Sequence, residues 1–324
     1  MRTELPTVTF GRTDMQITRV GFGAWAIGGG DWAFAWGPQD DQDSIAAIHH
    51  AVESGVNWID TAAVYGLGHS EEVVGRALRD LPEGERPYVF TKGGRVWSDD
   101  DRRLAPRSVC TPESLRTEVE ASLRRLGVDR IDLYQLHWPS ADGTPVEVYW
   151  QTFLDLKAEG KVRAVGLSNH DVAQLEVAES LGHVDSLQPP FSAIRQEARD
   201  ELLPWCDAHG TAVIVYSPMG SGLLTGAFTA ERVAGLPADD WRRSAPAFTT
   251  ELDANLRVAA ALARVAERHD VPTAAAAAAW TLGFPGVTGA IVGARTPAQI
   301  DGWLPAASLT LTAEDYAEVE AARG

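Results

Sequence analysis

Cysteine is scarce in this chain of 324 residues: only Cys110 and Cys206 occur. They form no CxxC or other metal-ligand spacing, so a disulfide framework, a thiolate metal centre and a redox-active dithiol all lack their raw material. No run of about eighteen apolar residues appears, which excludes an ordinary transmembrane helix. Met1 to Met15 shows neither a basic nor an apolar leader region, and the expectation is a cytoplasmic protein. Positive charge is in deficit, with 28 Lys and Arg against 45 Asp and Glu and a net charge of −17. Such a chain repels nucleic acid and anionic membrane surfaces, and no Lys/Arg-rich stripe interrupts the deficit, so neither is expected as a partner. A small anionic ligand stays admissible, because a few cations at one site outweigh a distant, salt-screened field. No Gly/Ser/Pro linker and no shift in charge divides the sequence, and residues 1–324 are expected as one domain.

What is present is an alternation of candidate strands and helices along the whole length, the pattern of parallel strands joined by helical crossovers. After a possible hairpin at 8–17, strands are expected at 19–22, 56–59, 88–91, 131–136, 162–167, 184–188, 212–216 and 290–292. Helices are expected at 43–53, from a Ser70 cap through Leu78, and from Thr111 and Pro112 to a stop at Gly127. Others fall at 146–158, 172–181, 199–208, 252–268 and 274–280, with a final pair at 297–303 and 314–321. The Thr111 helix is the clearest. Proline suits its first position, and Leu115, Val119, Leu123 and Leu126 keep helical spacing. Residues 228–250 read as a polar insertion. Eight strands with their crossovers predict the α/β class: a (β/α)8 TIM barrel with an N-terminal β-hairpin and extra C-terminal helices.

In such a barrel the chemistry sits where strands end. The expected strands lead into Asp60 and Tyr65, Lys92, and His137. Each alone fits a bland role: Asp60 a turn cap, Tyr65 a wet aromatic, His137 a hydrogen-bonded core ring. Lysine, however, rarely ends a buried strand without an anionic partner. Together the four suit carbonyl reduction, in which an oxygen receiving hydride at its carbon must be stabilised and protonated. An ammonium at about 4 Å from a phenol favours the phenolate by roughly 4 kcal/mol at an effective dielectric near 20, about three pKa units. The expectation is that Lys92 acidifies Tyr65 in this way, Asp60 keeps Lys92 charged, and His137 donates to the substrate oxygen.

The stretches Trp58-Ile-Asp60-Thr-Ala-Ala-Val-Tyr65-Gly66, Gly68-His69-Ser70-Glu71-Glu72, Thr91-Lys92-Gly93 and Leu136-His137-Trp138-Pro139 strongly resemble the aldo-keto reductase superfamily, particularly its bacterial stress-type NADPH-dependent branch. The likeness runs from Gly11 to about Trp303. It implies a catalytic tetrad of Asp60, Tyr65, Lys92 and His137. It also implies that Ser168, Asn169 and Gln188 bind the nicotinamide carboxamide, that Tyr216 stacks on its ring, and that Ser217, Pro218, Met219, Gly220, Ser221 and Leu223 belong to a pyrophosphate loop. Gly293, Arg295 and Gln299 resemble the adenosine-phosphate clamp, where Arg295 would hold a 2′-phosphate in a bidentate contact. NADP(H) is therefore favoured. Two departures, Ser221 where the family often has Arg and Trp303 where an adenine-binding Asn is common, keep NAD(H) open.

Trp25, Trp32, Trp97 and Trp138 fall in or beside strand-to-helix loops and are candidates to line an apolar pocket for a small-molecule carbonyl substrate; packing is the competing role. Arg95 is either a carboxylate ligand or a solvated loop residue. Gly21-x-Gly23-x-x-Ala26 matches a relaxed dinucleotide fingerprint, but Gly28, Gly29, Gly30 and Gly37-Pro38 break any following helix. It reads instead as a glycine-rich loop whose backbone approaches the cofactor. A metal-dependent barrel hydrolase using Asp60, His137 and His170 would leave the lysine and tyrosine idle, and no metal-ligand spacing occurs. An NAD(P)-dependent alcohol or sugar dehydrogenase and a cofactor-binding regulatory subunit share the motifs and stay open.

Overall fold

The computed structural model describes residues 4–237 and 240–323. Three residues of the stretch 1–15 read for a leader, two of the 228–250 insertion and the last residue of the expected domain lie outside that range. Eight parallel strands close into a barrel in chain order: β1 Val20–Gly23, β2 Trp58–Asp60, β3 Tyr88–Gly93, β4 Ile131–Leu136, β5 Val162–Ser168, β6 Ser186–Gln188, β7 Ala212–Val215 and β8 Val287–Gly293. Pairing of Ala290 with Val20 and Gly293 with Gly23 joins β8 to β1 and closes the ring. The main crossover helices are α1 Asp41–Glu53, α2 His69–Arg79, α3 Pro112–Leu126, α4 Val146–Ala158, α5 Val172–Leu181, α6 Leu202–His209, α7 Leu252–Arg268 and α8 Thr273–Leu282. This is the expected (β/α)8 barrel. Among the described residues no helix is long and apolar enough to cross a membrane.

The N-terminal hairpin pairs Thr7–Thr9 with Gln16–Thr18. Its Phe10, Met15 and Ile17 join Trp58, Phe90, Leu133, Ala164, Ala212 and Ile214 in one buried cluster, so the hairpin helps to fill the barrel. A larger layer, including Val73, Leu115, Phe153 and Leu262, fills the space between strands and helices. Both depend on the polar residues being displaced to the strand ends, which positions the site.

Local signals explain most boundaries. Thr111 Oγ1 accepts from the Ser114 N–H, Pro112 follows, and Gly127 ends α3 at φ 68°, a conformation that costs glycine little. Three expectations need correction. Ser70 does not cap α2: Gly68 precedes the helix, and the Ser70 hydroxyl instead donates to Ala24 O at 2.9 Å. α6 starts at Leu202, because a separate 3-10 turn, Glu197–Arg199, takes Arg199, the first expected residue. The 228–250 segment is not merely polar. It holds the short helix Ala230–Ala234 and the turns Trp241–Ser244 and Pro246–Phe248, and it buries Phe228, Val233, Leu236 and Phe248 against Leu223.

Candidate active site

Asp60 is the last residue of β2 and Lys92 the last but one of β3, both almost fully buried. Lys92 Nζ donates to Asp60 Oδ1 at 2.5 Å and to Thr61 O at 2.9 Å. It stands 3.5 Å from Tyr65 Oη, within a long hydrogen bond. Tyr65 is held by its own turn: its N–H donates to Ala62 O and its carbonyl accepts from Ser70 N–H. His137, one residue beyond β4, sets its ring edge-on to that of Tyr65 at 5.6 Å. The four expected residues therefore meet at one barrel mouth.

Their electrostatics differ from the expectation in one respect. Burial pushes the Tyr65 phenol well above its ordinary pKa of 10, and the Asp60 carboxylate adds to the rise. Lys92, committed to Asp60 at a shorter distance, does not offset this rise in the resting site. Burial drives Asp60 up and Lys92 down, and each opposes the other's drift toward neutrality. His137 is held well below its usual 6.5 by burial, then by the charges of Lys92 and Arg95. The cluster thus presents a neutral phenol and a neutral imidazole beside a buried ion pair. The two cysteines are buried thiols pushed up to about 12, mainly by burial, and are unreactive as nucleophiles.

The residues expected to hold a nicotinamide converge on the same mouth. Ser168 ends β5, Gln188 ends β6 and Tyr216 follows β7. Ser168 Oγ donates to Gln188 O at 2.9 Å, Gln188 Nε2 to Asp60 Oδ2 at 2.9 Å, Asn169 Nδ2 to His137 O at 3.0 Å, and Tyr216 Oη to Asn169 Oδ1 at 2.8 Å. These bonds tie the amides to the Asp60–Lys92–Tyr65 group. With its Nε2 committed to Asp60, the Gln188 side chain has its carbonyl as the acceptor fit for a carboxamide N–H. Asn169, Ser217 and Ser221 all sit in left-handed backbone, at φ 62°, 57° and 56°. Such strain in non-glycine residues collects at functional sites.

The residues expected at the cofactor's phosphate end are placed less uniformly. Pro218, Met219 and Gly220 lead into the 3-10 turns Gly220–Thr225, which form the loop, whereas Leu223 is fully buried and serves as its anchor. Gly293 ends β8 in an exposed position, and Gln299 Oε1 accepts from Arg295 N–H at 2.7 Å. Trp303 is buried, so its ring belongs to the core. The Arg295 guanidinium is occupied: Nε donates to Gln39 Oε1 at 2.6 Å, Nη1 to Trp36 O at 3.4 Å and Nη2 to Pro38 O.

The four indoles diverge. Trp25 stacks beside Tyr65 with centroids 6.2 Å apart, and Trp97 packs on the same cluster. Trp32 is buried beneath it with Ala62 and Val64, a core residue, and Trp138 is exposed. Two further indoles were not read from the sequence: Trp36, edge-on to Trp25 at 5.3 Å, and Trp241, stacked with Trp25 at 6.2 Å. The only sequence signal was their aromaticity in strand-to-helix loops. Arg95 is not a solvated loop residue: it pairs in a two-stranded ribbon with Arg107–Ser108 and donates to Ser108 Oγ at 2.8 Å. The glycine-rich loop is explained by a close approach at the site: a Cβ on Gly66 would lie 2.0 Å from Gly28 O, and Gly66 has φ 64°. His170 lies away from any ligand role, donating from Nδ1 to Ser168 O at 2.8 Å and accepting from Tyr149 Oη at 3.1 Å.

A family model described as the aldo/keto reductase family matches residues 19–323. The chain is 42% identical to an NADH-specific methylglyoxal reductase of Escherichia coli (strain K12) over 239 residues, 70% of this chain and 72% of that one. It is 33% identical over 310 residues to the aldo-keto reductase YhdN of Bacillus subtilis (strain 168), covering 95% of this chain and 90% of the other. Among solved structures, a glycerol dehydrogenase of Gluconobacter oxydans superposes with a TM-score of 0.88 at 35% identity, covering 98% of this chain and 94% of that one.

Proposed function

The chain belongs to the aldo/keto reductase family, and from that premise we propose that it reduces a small aldehyde or ketone to the alcohol, with Tyr65 as proton donor. The carrying observation is the contact series Asp60–Lys92–Tyr65 beside His137 at the barrel mouth. The bound nicotinamide supplies the hydride. Ser168, Asn169 and Gln188 would hold its carboxamide, Tyr216 would pack on its ring, and the 217–223 loop with Gly293 and Gln299 would meet its phosphate end.

The role of each side chain follows from the electrostatics. A phenol with a raised pKa keeps its proton in the resting site. As hydride reaches carbon, the substrate oxygen becomes an alkoxide, a base of the hydroxide class whose conjugate acid has a pKa of about 15.7. Tyr65 is the neutral acid placed to protonate that alkoxide. The Lys92 ammonium stabilises the phenolate left behind, and Asp60 keeps that ammonium charged and in place. Neutral His137 donates a hydrogen bond to the carbonyl oxygen without competing as an acid.

We read the cofactor choice as dual, with NADH at least as effective as NADPH. Three of the five Arg295 N–H donors already meet loop acceptors, so fewer are left for a 2′-phosphate than a free guanidinium would offer. The NADH-specific name of the Escherichia coli relative supports the same reading, and the relative's methylglyoxal makes a small oxoaldehyde the first substrate to try. A second reading, oxidation of a polyol in the reverse direction, is favoured by the structural likeness to a glycerol dehydrogenase. The test is the loss of reduced-nicotinamide absorbance with each cofactor across a panel of aldehydes and polyols. Reduction of small aldehydes with either cofactor is expected; cofactor binding without any turnover would overturn the proposal.

A further inference from the structure

Arg295 sits at the start of the turn after β8, yet its side chain reaches the loop between β1 and α1. Three of its nitrogens donate there: Nε to Gln39 Oε1 at 2.6 Å, Nη1 to Trp36 O at 3.4 Å and Nη2 to Pro38 O. The contact is reciprocal, because Gln39 Nε2 donates back to Arg295 O at 3.0 Å and also to Ser44 Oγ at 3.1 Å at the head of α1. A planar fork with several acceptors in fixed directions is held more rigidly than any single bond would be.

The loop so held carries aromatic rings to the reaction centre. Trp36 meets Trp25 edge-on at 5.3 Å and Trp241 edge-on at 5.8 Å. Trp25 packs on Tyr65, and its indole N–H donates to Phe34 O at 3.1 Å within the same loop. Arg242, itself paired with Asp240, lies 5.0 Å over the Trp36 ring and so ties the loop to the 228–250 insertion. Removing the guanidinium would free Trp36, Pro38 and Gln39 together while leaving Asp60, Lys92 and Tyr65 untouched.

We infer that Arg295 is a latch on the β1–α1 loop: a positioning residue that fixes the Trp25–Trp36–Trp241 wall of the carbonyl pocket, rather than chiefly a reader of the cofactor's 2′-phosphate. This rests on the carbonyl-reductase reading above. It reverses the usual expectation for an arginine at this place, since its loss is felt by the carbonyl even when the cofactor carries no 2′-phosphate. Gln39 is the other half of the latch, and its loss acts in the same direction while leaving the positive charge in place.

The experiment compares Arg295→Ala, Arg295→Lys and Gln39→Ala with the unaltered chain, using NADH and a small aldehyde, together with amide hydrogen exchange of residues 34–40 in the free protein. The latch predicts a rise of about tenfold in the aldehyde KM for Arg295→Ala with NADH, the fold-change of one charge-assisted hydrogen bond. The NADH KM stays within about twofold, a criterion well inside that single bond's worth. Exchange at 34–40 accelerates by about tenfold or more. Gln39→Ala moves both readouts the same way, and Arg295→Lys, which keeps the charge but loses the fork, recovers them in part. Unchanged exchange and unchanged aldehyde KM, with only the NADPH KM raised, would overturn the latch. If the unaltered chain turns over no aldehyde with either cofactor, the functional reading fails, and the exchange measurement alone then decides the latch.

Discussion

At the scale of single residues, the buried Lys92–Asp60 pair sets the chemistry. Removing one charge strands the other: Asp60→Asn or Lys92→Met each should cost about 3 kcal/mol or more of folding stability. The double variant should cost less than the sum of the two, because no uncompensated charge is left. Urea melts of the three variants measure this, and additive losses would show that the pair is not coupled. The residue types at the strand ends were legible in the sequence, since a lysine, a carboxylate, a phenol and an imidazole at those positions have few other joint explanations. The direction of the phenol's acidity was not. It is set first by burial of the phenol and then by the Asp60 carboxylate, and no spacing in the chain encodes how deeply that ring is enclosed. The role of Arg295 was hidden for the same reason, because its partners lie 256 to 259 positions away in the chain.

At the scale of elements, the long helices were legible because their signals are local. Caps, a first-turn proline and apolar periodicity fix α3 to the residue, and α4, α5 and α7 follow their expected bounds. Short strands such as β2 and β6, of 3 residues each, start later than their apolar runs suggest, since pairing with neighbours decides where they begin. The 228–250 insertion misled for a related reason: its small core closes on Leu223 and stacks Trp241 on Trp25, contacts invisible to a local pattern. A close backbone junction lies between the β1–α1 and β2–α2 loops, where Gly66 faces Gly28 O. Gly66→Ala should lower stability by roughly 2 kcal/mol or more, from strain at positive φ and the backbone clash. It should also depress activity beyond that loss by shifting the adjacent Tyr65. A thermal melt with parallel kinetics checks both, and normal values of each would mean that the loops can separate freely.

At the scale of the whole molecule, closure of the barrel places a titration in the fold's interior. His170 is almost fully buried between Tyr149 and the Ser168 carbonyl, and burial, its largest influence, holds it down at about 4. The unfolded chain binds that proton near 6.5, so below that pH unfolding takes up a proton that the folded state refuses. Stability is therefore full above about 6.5 and falls as pH drops toward 4, by about 2 kcal/mol for this group alone between pH 7.5 and 4.5. His170→Gln should flatten that part of the stability profile from urea melts; an unchanged slope would assign the acid sensitivity elsewhere. The central claim, that this barrel mouth passes a proton from Tyr65 to a carbonyl oxygen as hydride arrives, is tested most directly by single-turnover reduction of a small aldehyde in Tyr65→Phe, with cofactor affinity measured on the same sample. The account predicts an unaltered cofactor Kd and a reduction rate about a hundredfold to ten-thousandfold lower. A rate within tenfold of the unaltered enzyme, on the same rate scale, would contradict it.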